Sequence, residues 1–159
     1  MILYFFRHGL AGNQHDWKGD DRERPLTHKG KNEIEISAET LTRMNLGLEQ
    51  IITSPLTRAR QTAAILAGQL KLKKNLQEDE RLAHGFDILK LGELLEAYPD
   101  AKVLMLVGHE PDFSAVISAL TGGSRIELKK GGLARVDIMD PTTLEGVLVW
   151  LLPPQILTL

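Results

Sequence analysis

Arg7, His8, Arg58 and His109 are the residues of this 159-residue chain whose types and placement could do chemistry together. Each stands just beyond a short apolar run. Arg7-His8-Gly9 follows Ile2–Phe6, Ser54-Pro55-Leu56-Thr57-Arg58 follows the stretch holding Ile51-Ile52, and Gly108-His109 follows Val103–Val107. Two imidazoles and two guanidiniums, with helix N-termini beside them, make a cationic pocket whose forked donors match a phosphoryl group. An imidazole among arginines is favoured as the neutral species, and neutral imidazole is a nucleophile. A ring held through one nitrogen by a backbone carbonyl could attack phosphorus with the other, while Arg7 and Arg58 hold the equatorial oxygens. The second histidine would stabilise the transferring group.

These residues are useful only if the elements bearing them converge. Ile2–Phe6 reads as a fully buried strand, and residues 9–25, polar and without period, as a long surface loop. Thr27 reads as the N-cap of an amphipathic helix over about 28–45 that carries Ile34, Ala38 and Leu41. Leu48–Thr53 predicts a second strand, with Ser54 as N-cap and Pro55 as the first residue of the next helix. Leu56, Ala59, Ala63, Leu66 and Leu70 form the core stripe of that helix, with Arg58 and Gln61 on its other side. A weak strand over about 75–77 and a helix over Ile88–Tyr98 come next, then a strand at Val103–Val107 and a helix ended by Gly122-Gly123. Alternation at Ala134, Val136 and Ile138, the Asp140-Pro141 turn and the apolar Val147–Leu152 predict a closing hairpin. Strands alternating with helices give a single three-layer α/β domain over residues 1–159, its mixed sheet mostly parallel with helices on both faces. Ligands of such sheets bind at the carboxyl ends of the strands, which is where all three motifs fall.

Composition narrows the classes. With 19 Lys+Arg against 21 Asp+Glu, the net charge of −2 supplies no field for holding nucleic acid or an anionic membrane, so any anion site must be local. The absence of cysteine closes disulfide, thiolate and Cys-ligated metal chemistry. No apolar run approaches the ~20 residues of a membrane span, and Arg7 interrupts the N-terminal run too early for a secretory signal, so a cytoplasmic protein is expected. His15, Asp16, Asp20 and Asp21 could suit Mg or Mn, but Lys18, Arg22 and Arg24 offset their charge and no metal-binding histidine spacing is present. No metal and no cofactor are expected. His28 and His84 read as surface residues, His84 near the pocket rim, and Lys129 and Lys130 as a solvated face.

The motifs also resemble those of the histidine phosphatase, or phosphoglycerate-mutase-like, superfamily. The shared patterns stand as Arg7-His8-Gly9, Arg24-Pro25-Leu26-Thr27-His28-Lys29-Gly30, Ser54–Thr62 and Gly108-His109, in the family's order. Small size, the R-P-L-T spacing and the Gly131–Asp140 segment are most similar to the SixA-type phosphohistidine phosphatases. The resemblance implies a phosphoglycerate-mutase-like fold, His8 as the phosphorylated nucleophile, Arg7 and Arg58 as phosphate clamps, and His109 as the second pocket histidine. Larger members carry a glutamate proton donor where this chain has His84, within Glu80-Arg81-Leu82-Ala83-His84-Gly85. That departure fits a phosphoramidate, whose imidazole leaving group needs less help than an alkoxide. The expectation is a metal-independent phosphatase, monomeric, acting on a phosphohistidine-containing protein through a phosphohistidine intermediate on His8. The alternatives are a small-molecule phosphomonoesterase or mutase, and a non-catalytic module that binds phosphorylated proteins.

Overall fold

Both faces of Ile2–Phe6 are apolar, so the strand they form must lie inside a sheet covered on each side. A computed structural model, describing residues 1–159, has that arrangement. Strand β1 (Ile2–Arg7) sends Leu3 and Phe5 into one core and Tyr4 and Phe6 into the other, as the two-residue period of a strand requires. Its neighbours are β2 (Gln50–Thr53), β3 (Leu76–Glu78), β4 (Val103–Gly108), β5 (Leu133–Asp140) and β6 (Glu145–Leu152), in a 6-stranded sheet ordered β3-β2-β4-β1-β5-β6. The first four strands are mutually parallel, whereas β5 pairs antiparallel with β1 and β6 antiparallel with β5, so the sheet is mixed as expected.

Helices α1 (His28–Met44) and α2 (Thr57–Gln69) cover one face, together with the short α5 (Pro154–Leu157). Their Ile34, Ala38, Leu41, Ala59, Ala63 and Leu66 meet Tyr4, Phe6, Met105 and Val107. Helices α3 (Ile88–Glu96) and α4 (Asp112–Leu120) cover the other face, where Leu91, Leu94, Phe113 and Ile117 meet Leu3, Phe5, Leu104 and Leu106. Right-handed crossovers explain the division. The chain moves outward from β1 through β2 to β3 with helices on one face, then returns to β4 with α3 on the other. The reversal leaves β1 and β4 side by side in the middle, and their carboxyl ends form the crevice where ligands of such sheets sit.

Three details differ from the sequence reading. Ser54 and Pro55 do not begin the second helix; Leu56 is its cap, without a side-chain cap bond, and helical residues start at Thr57. The Ser54 hydroxyl accepts from the Leu56 N–H at 3.2 Å and lies 2.7 Å from His109 Nε2. Helix α5, unforeseen, is too short to show a period, although it starts with proline at a position that proline favours. Helix α1 ends at Met44, with Asn45 in the left-handed conformation at its C-cap, before the predicted stop at Gly47. No helix is long and apolar enough to cross a membrane.

Candidate active site

The crevice at the carboxyl ends of β1 and β4 opens into a cleft of about 650 Å³ that includes Arg7, His8, Arg58, His84 and His109 in its lining. All four residues singled out at sequence level therefore reach one place. Ala11 is the only hydrophobic residue in the lining. The cleft is built for charge.

His8 leaves β1 with its backbone N–H donating to Gly108 O on β4 at 3.0 Å. Its Nδ1 lies 2.7 Å from Gly9 O, and since a carbonyl only accepts, the ring proton sits on Nδ1 and the lone pair on Nε2. The Gly9 N–H is held by Thr62 Oγ1 at 3.1 Å, and that hydroxyl donates to Arg58 O at 2.7 Å. Thr62 thus ties the histidine turn to α2. The His8 ring is held well below the ordinary imidazole range, at about 3, mainly by burial, with Arg58, Arg7 and Lys130 adding to the shift against the opposing Gly9 hydrogen bond. The arginines expected to keep it neutral are therefore the lesser cause.

His109 follows Gly108, a residue without room for a side chain because a Cβ there would meet Phe113 at 2.5 Å. The two histidine rings lie 5.2 Å apart between centroids. Fully buried Ser54 accepts from the Leu56 N–H at 3.2 Å, and its own hydroxyl has His109 Nε2 to donate to at 2.7 Å. With the Ser54 hydroxyl as donor, the His109 proton is on Nδ1, a buried nitrogen with no protein partner. Burial pushes His109 down to about 2, with His8, Arg58 and His84 acting in the same direction.

Arg7 Nη1 donates to Leu128 O at 3.0 Å, and Gly131 N–H lies 3.1 Å from the carbonyl oxygens of both Arg7 and His8. Arg58 sits in the first turn of α2, where the helix dipole already favours an anion. Its Nη1 donates to Asp21 O at 2.8 Å, and its Nη2 to Asp21 Oδ2 at 3.1 Å and His84 Nε2 at 3.2 Å. Three buried side-chain polar atoms have no hydrogen-bond partner: Arg7 Nε, Arg58 Nε and His109 Nδ1. All belong to this cleft. Buried donors are satisfied almost everywhere in proteins, so three together mark a place made for oxygen acceptors.

Several residues around them were not assigned a role from sequence. Arg24 is buried, reaches the cleft and pairs with Asp21 Oδ1 at 2.9 Å. Asp21, considered above as a metal ligand, bridges Arg24 and Arg58 instead, and Asp20 caps a short 3-10 turn by accepting from Arg22 N. His15 lines the cleft, whereas Asp16 and Asp20 do not. Lys130, read as part of a solvated face, stands in the cleft wall and is pulled below its ordinary value by burial and by Arg7, Arg24 and Arg58. His28 is exposed on α1, as expected, while half-exposed His84 stands at the rim with its ring 4.7 Å from that of His109. The signal for Arg24 was its place in the R-P-L-T motif: Thr27 accepts from Gly30 N–H at 2.9 Å, and Leu26 N–H donates to Gln61 at 2.8 Å, which fastens that segment to the site.

Residues 3–86 match the family model of the histidine phosphatase superfamily, branch 1. The chain belongs to this superfamily. Another relative is an uncharacterized protein of Picosynechococcus, 43% identical over 139 residues that cover 84% of this chain and 82% of that one. The phosphohistidine phosphatase SixA of Escherichia coli is 26% identical over 125 residues, covering 77% and 76% of the two chains. Among solved structures, the protein histidine phosphatase SixA complexed with tungstate matches with a TM-score of 0.87 at 24% identity, over 99% of both chains. A putative α-ribazole-5'-P phosphatase of Escherichia coli matches with 0.77 at 16% identity, over 97% of both. The fold is that of SixA, within a superfamily whose histidine phosphatases share this phosphoglycerate-mutase-like architecture.

Proposed function

We propose that the protein is a metal-independent phosphohistidine phosphatase, one catalytic domain over residues 1–159, working on a cytoplasmic phosphoprotein through a covalent intermediate on His8. The observation that carries this reading is the fixed tautomer of His8. A buried, neutral ring with its Nδ1 proton spent on Gly9 O presents only one reactive atom, Nε2, to a cleft walled by guanidiniums.

In the first step Nε2 of His8 bonds to phosphorus as the P–N bond of a substrate ring already protonated on its other nitrogen breaks, and the electron pair of that bond departs with the now neutral imidazole. Arg7, Arg58 and the Nδ1–H of His109 hold the three equatorial oxygens, where charge accumulates in the transition state. In the second step water bonds to phosphorus, the bond to His8 breaks with its electron pair returning to Nε2, and inorganic phosphate departs. The similarity to SixA, a phosphohistidine phosphatase by name, supports a phosphoramidate substrate. The match to a putative α-ribazole-5'-P phosphatase supports the second reading, a small-molecule phosphomonoesterase.

A substrate panel separates the two. A phosphohistidine-bearing protein should be hydrolysed with a higher kcat/KM than sugar phosphates or phosphoglycerate. Preference for the esters would select the second reading. Binding of the phosphoprotein without release of phosphate would leave only a recognition module.

A further inference from the structure

Four cations line the cleft, Arg7, Arg24, Arg58 and Lys130, against two carboxylates, Asp21 and Glu110. The arginines are all held. Arg7 donates to Leu128 O, and Arg24 and Arg58 share Asp21. Glu110 is spent as well, because its two oxygens accept from the N–H and the hydroxyl of Ser114 in the first turn of α4. Lys130 is the charge left over. Its ammonium has neither an ion pair nor a hydrogen bond within the protein, and its sequence neighbour Glu127 is taken by Lys129.

The backbone fixes where this charge stands. Arg7 N–H donates to Gly132 O at 3.1 Å, Gly131 N–H lies 3.1 Å from the carbonyl oxygens of both Arg7 and His8, and Gly132 N–H donates to Lys129 O at 2.8 Å. Gly131 has a φ of +73°, a conformation in which a side chain would be strained, so the turn closes directly behind Lys130. The lysine is thereby clamped to the end of β1 that carries the nucleophile. Its charge is felt there: Lys130 adds to the depression of His8, and Arg7, Arg24 and Arg58, after burial, lower Lys130 itself. An anion relieves this mutual repulsion. The three equatorial oxygens of a phosphoryl group are already taken by Arg7, Arg58 and His109. The cleft therefore holds one more cation than the transferred group needs, and it stands exposed.

From this arrangement we infer that Lys130 is a specificity-determining residue that takes a second anionic group of the substrate, an aspartate or glutamate side chain beside the phosphohistidine. The inference rests on the phosphoprotein reading above and names which phosphoproteins the cleft prefers. In an in-line displacement the substrate nitrogen leaves on the side of phosphorus opposite His8. The rest of the substrate then extends toward the cleft mouth, where the ammonium of Lys130 meets the residues that flank the phosphohistidine. The net charge of −2 on the whole chain does not draw an acidic partner, so the selection is local to this rim. Lys130 makes and breaks no bond, and its contact is the same before and during the chemical step. Its effect therefore falls on KM and not on kcat.

The test uses peptides that share one phosphohistidine and differ only in carrying Glu, Gln or Lys beside it, with wild type, Lys130→Gln and Lys130→Glu. The readout is the ratio of kcat/KM between peptides within each protein. Wild type should favour the Glu peptide over the Gln peptide by about fivefold, the upper reach of a solvent-exposed ion pair, with the Lys peptide poorest. The preference should lie in KM and shrink as salt is raised. In Lys130→Gln the ratio of Glu to Gln peptide should fall to about one, and in Lys130→Glu the order should invert. The same ratio in all three proteins would overturn the inference, whether their rates are equal or uniformly reduced, since a uniform loss makes Lys130 a ligand of the phosphoryl group or a support for its turn. Acid-labile phosphate on His8 of wild type is measured in the same samples. Its presence beside a constant ratio refutes only the role of Lys130, whereas its absence, with no turnover of any peptide, refutes the phosphohistidine reading and the inference with it.

Discussion

Arg7 and Arg58 bring the same guanidinium to the same cleft, yet different partners hold them. Arg7 extends β1, donates to the backbone carbonyl of Leu128, and neighbours His8, whose own N–H is fixed to β4. Arg58 is held by side chains as well: the carboxylate of Asp21, itself shared with Arg24, and the imidazole of His84. One wall is made of strand ends and backbone hydrogen bonds; the other relies on groups that can exchange partners. Backbone-held groups keep a nucleophile aimed, as catalytic geometry demands. Exchangeable groups keep a buried cation satisfied in the free protein and give way when a stronger anion arrives.

The largest expected effect short of the nucleophile is on Arg58. Arg58→Ala should lose about 100- to 1,000-fold in kcat, or about 2.7–4 kcal/mol of transition-state stabilisation, the magnitude seen when one preorganised donor is removed. Steady-state rates on a phosphohistidine protein measure it. A loss below tenfold would mean that the exchangeable wall contributes little to the chemistry.

The backbone-held wall should be exposed by acid. His8 is held at about 3 and His109 at about 2, both far below the 6.5 of a free imidazole. Between pH 6.5 and about 3 the unfolded chain takes up protons that the folded one refuses. The contribution of these histidines to stability is therefore complete above pH 6.5 and is lost as the pH falls, at up to about 1.4 kcal/mol per pH unit for each ring. Urea denaturation at successive pH values should show this slope, and His109→Gln should make it shallower. An unchanged slope in the variant would contradict the buried neutral state of that ring.

A smaller effect separates the walls most cleanly. Asp21 competes with a phosphoryl group for Arg58, so Asp21→Asn should bind inorganic phosphate a few-fold more tightly, since the amide removes the competing charge while remaining able to accept a hydrogen bond. Competitive inhibition by phosphate reads this directly. Weaker inhibition would show that Asp21 supports the phosphate-binding geometry of Arg58 instead of opposing it.

The backbone-held wall was the more legible one in the sequence. His8 and His109 follow runs of bulky apolar residues, and a buried parallel strand ends where such a run ends, so their convergence could be argued from strand order alone. Asp21 and Lys130 could not be placed, because residues 9–25 and the segment before Gly131 have no period from which a direction can be read. Ser54 shows a different difficulty. Its sequence context matched a helix cap, and its hydroxyl accepts from the Leu56 N–H at 3.2 Å, but it also lies 2.7 Å from His109 Nε2, a partner that only tertiary structure supplies. His84 was foreseen at the rim, whereas its contact with Arg58 depends on the turn fixed by Asp112 and Lys90, groups remote from the motifs.

Rapid quenching after mixing the protein with a ³²P-labelled phosphohistidine substrate most directly tests whether His8 carries the phosphoryl group. The label should appear on the protein before phosphate is released, be lost in acid but not in alkali, map to the peptide holding His8, and be absent in a folded His8→Ala variant that also fails to turn over. Phosphate release by wild type with no such label, or normal turnover by His8→Ala, would contradict the account.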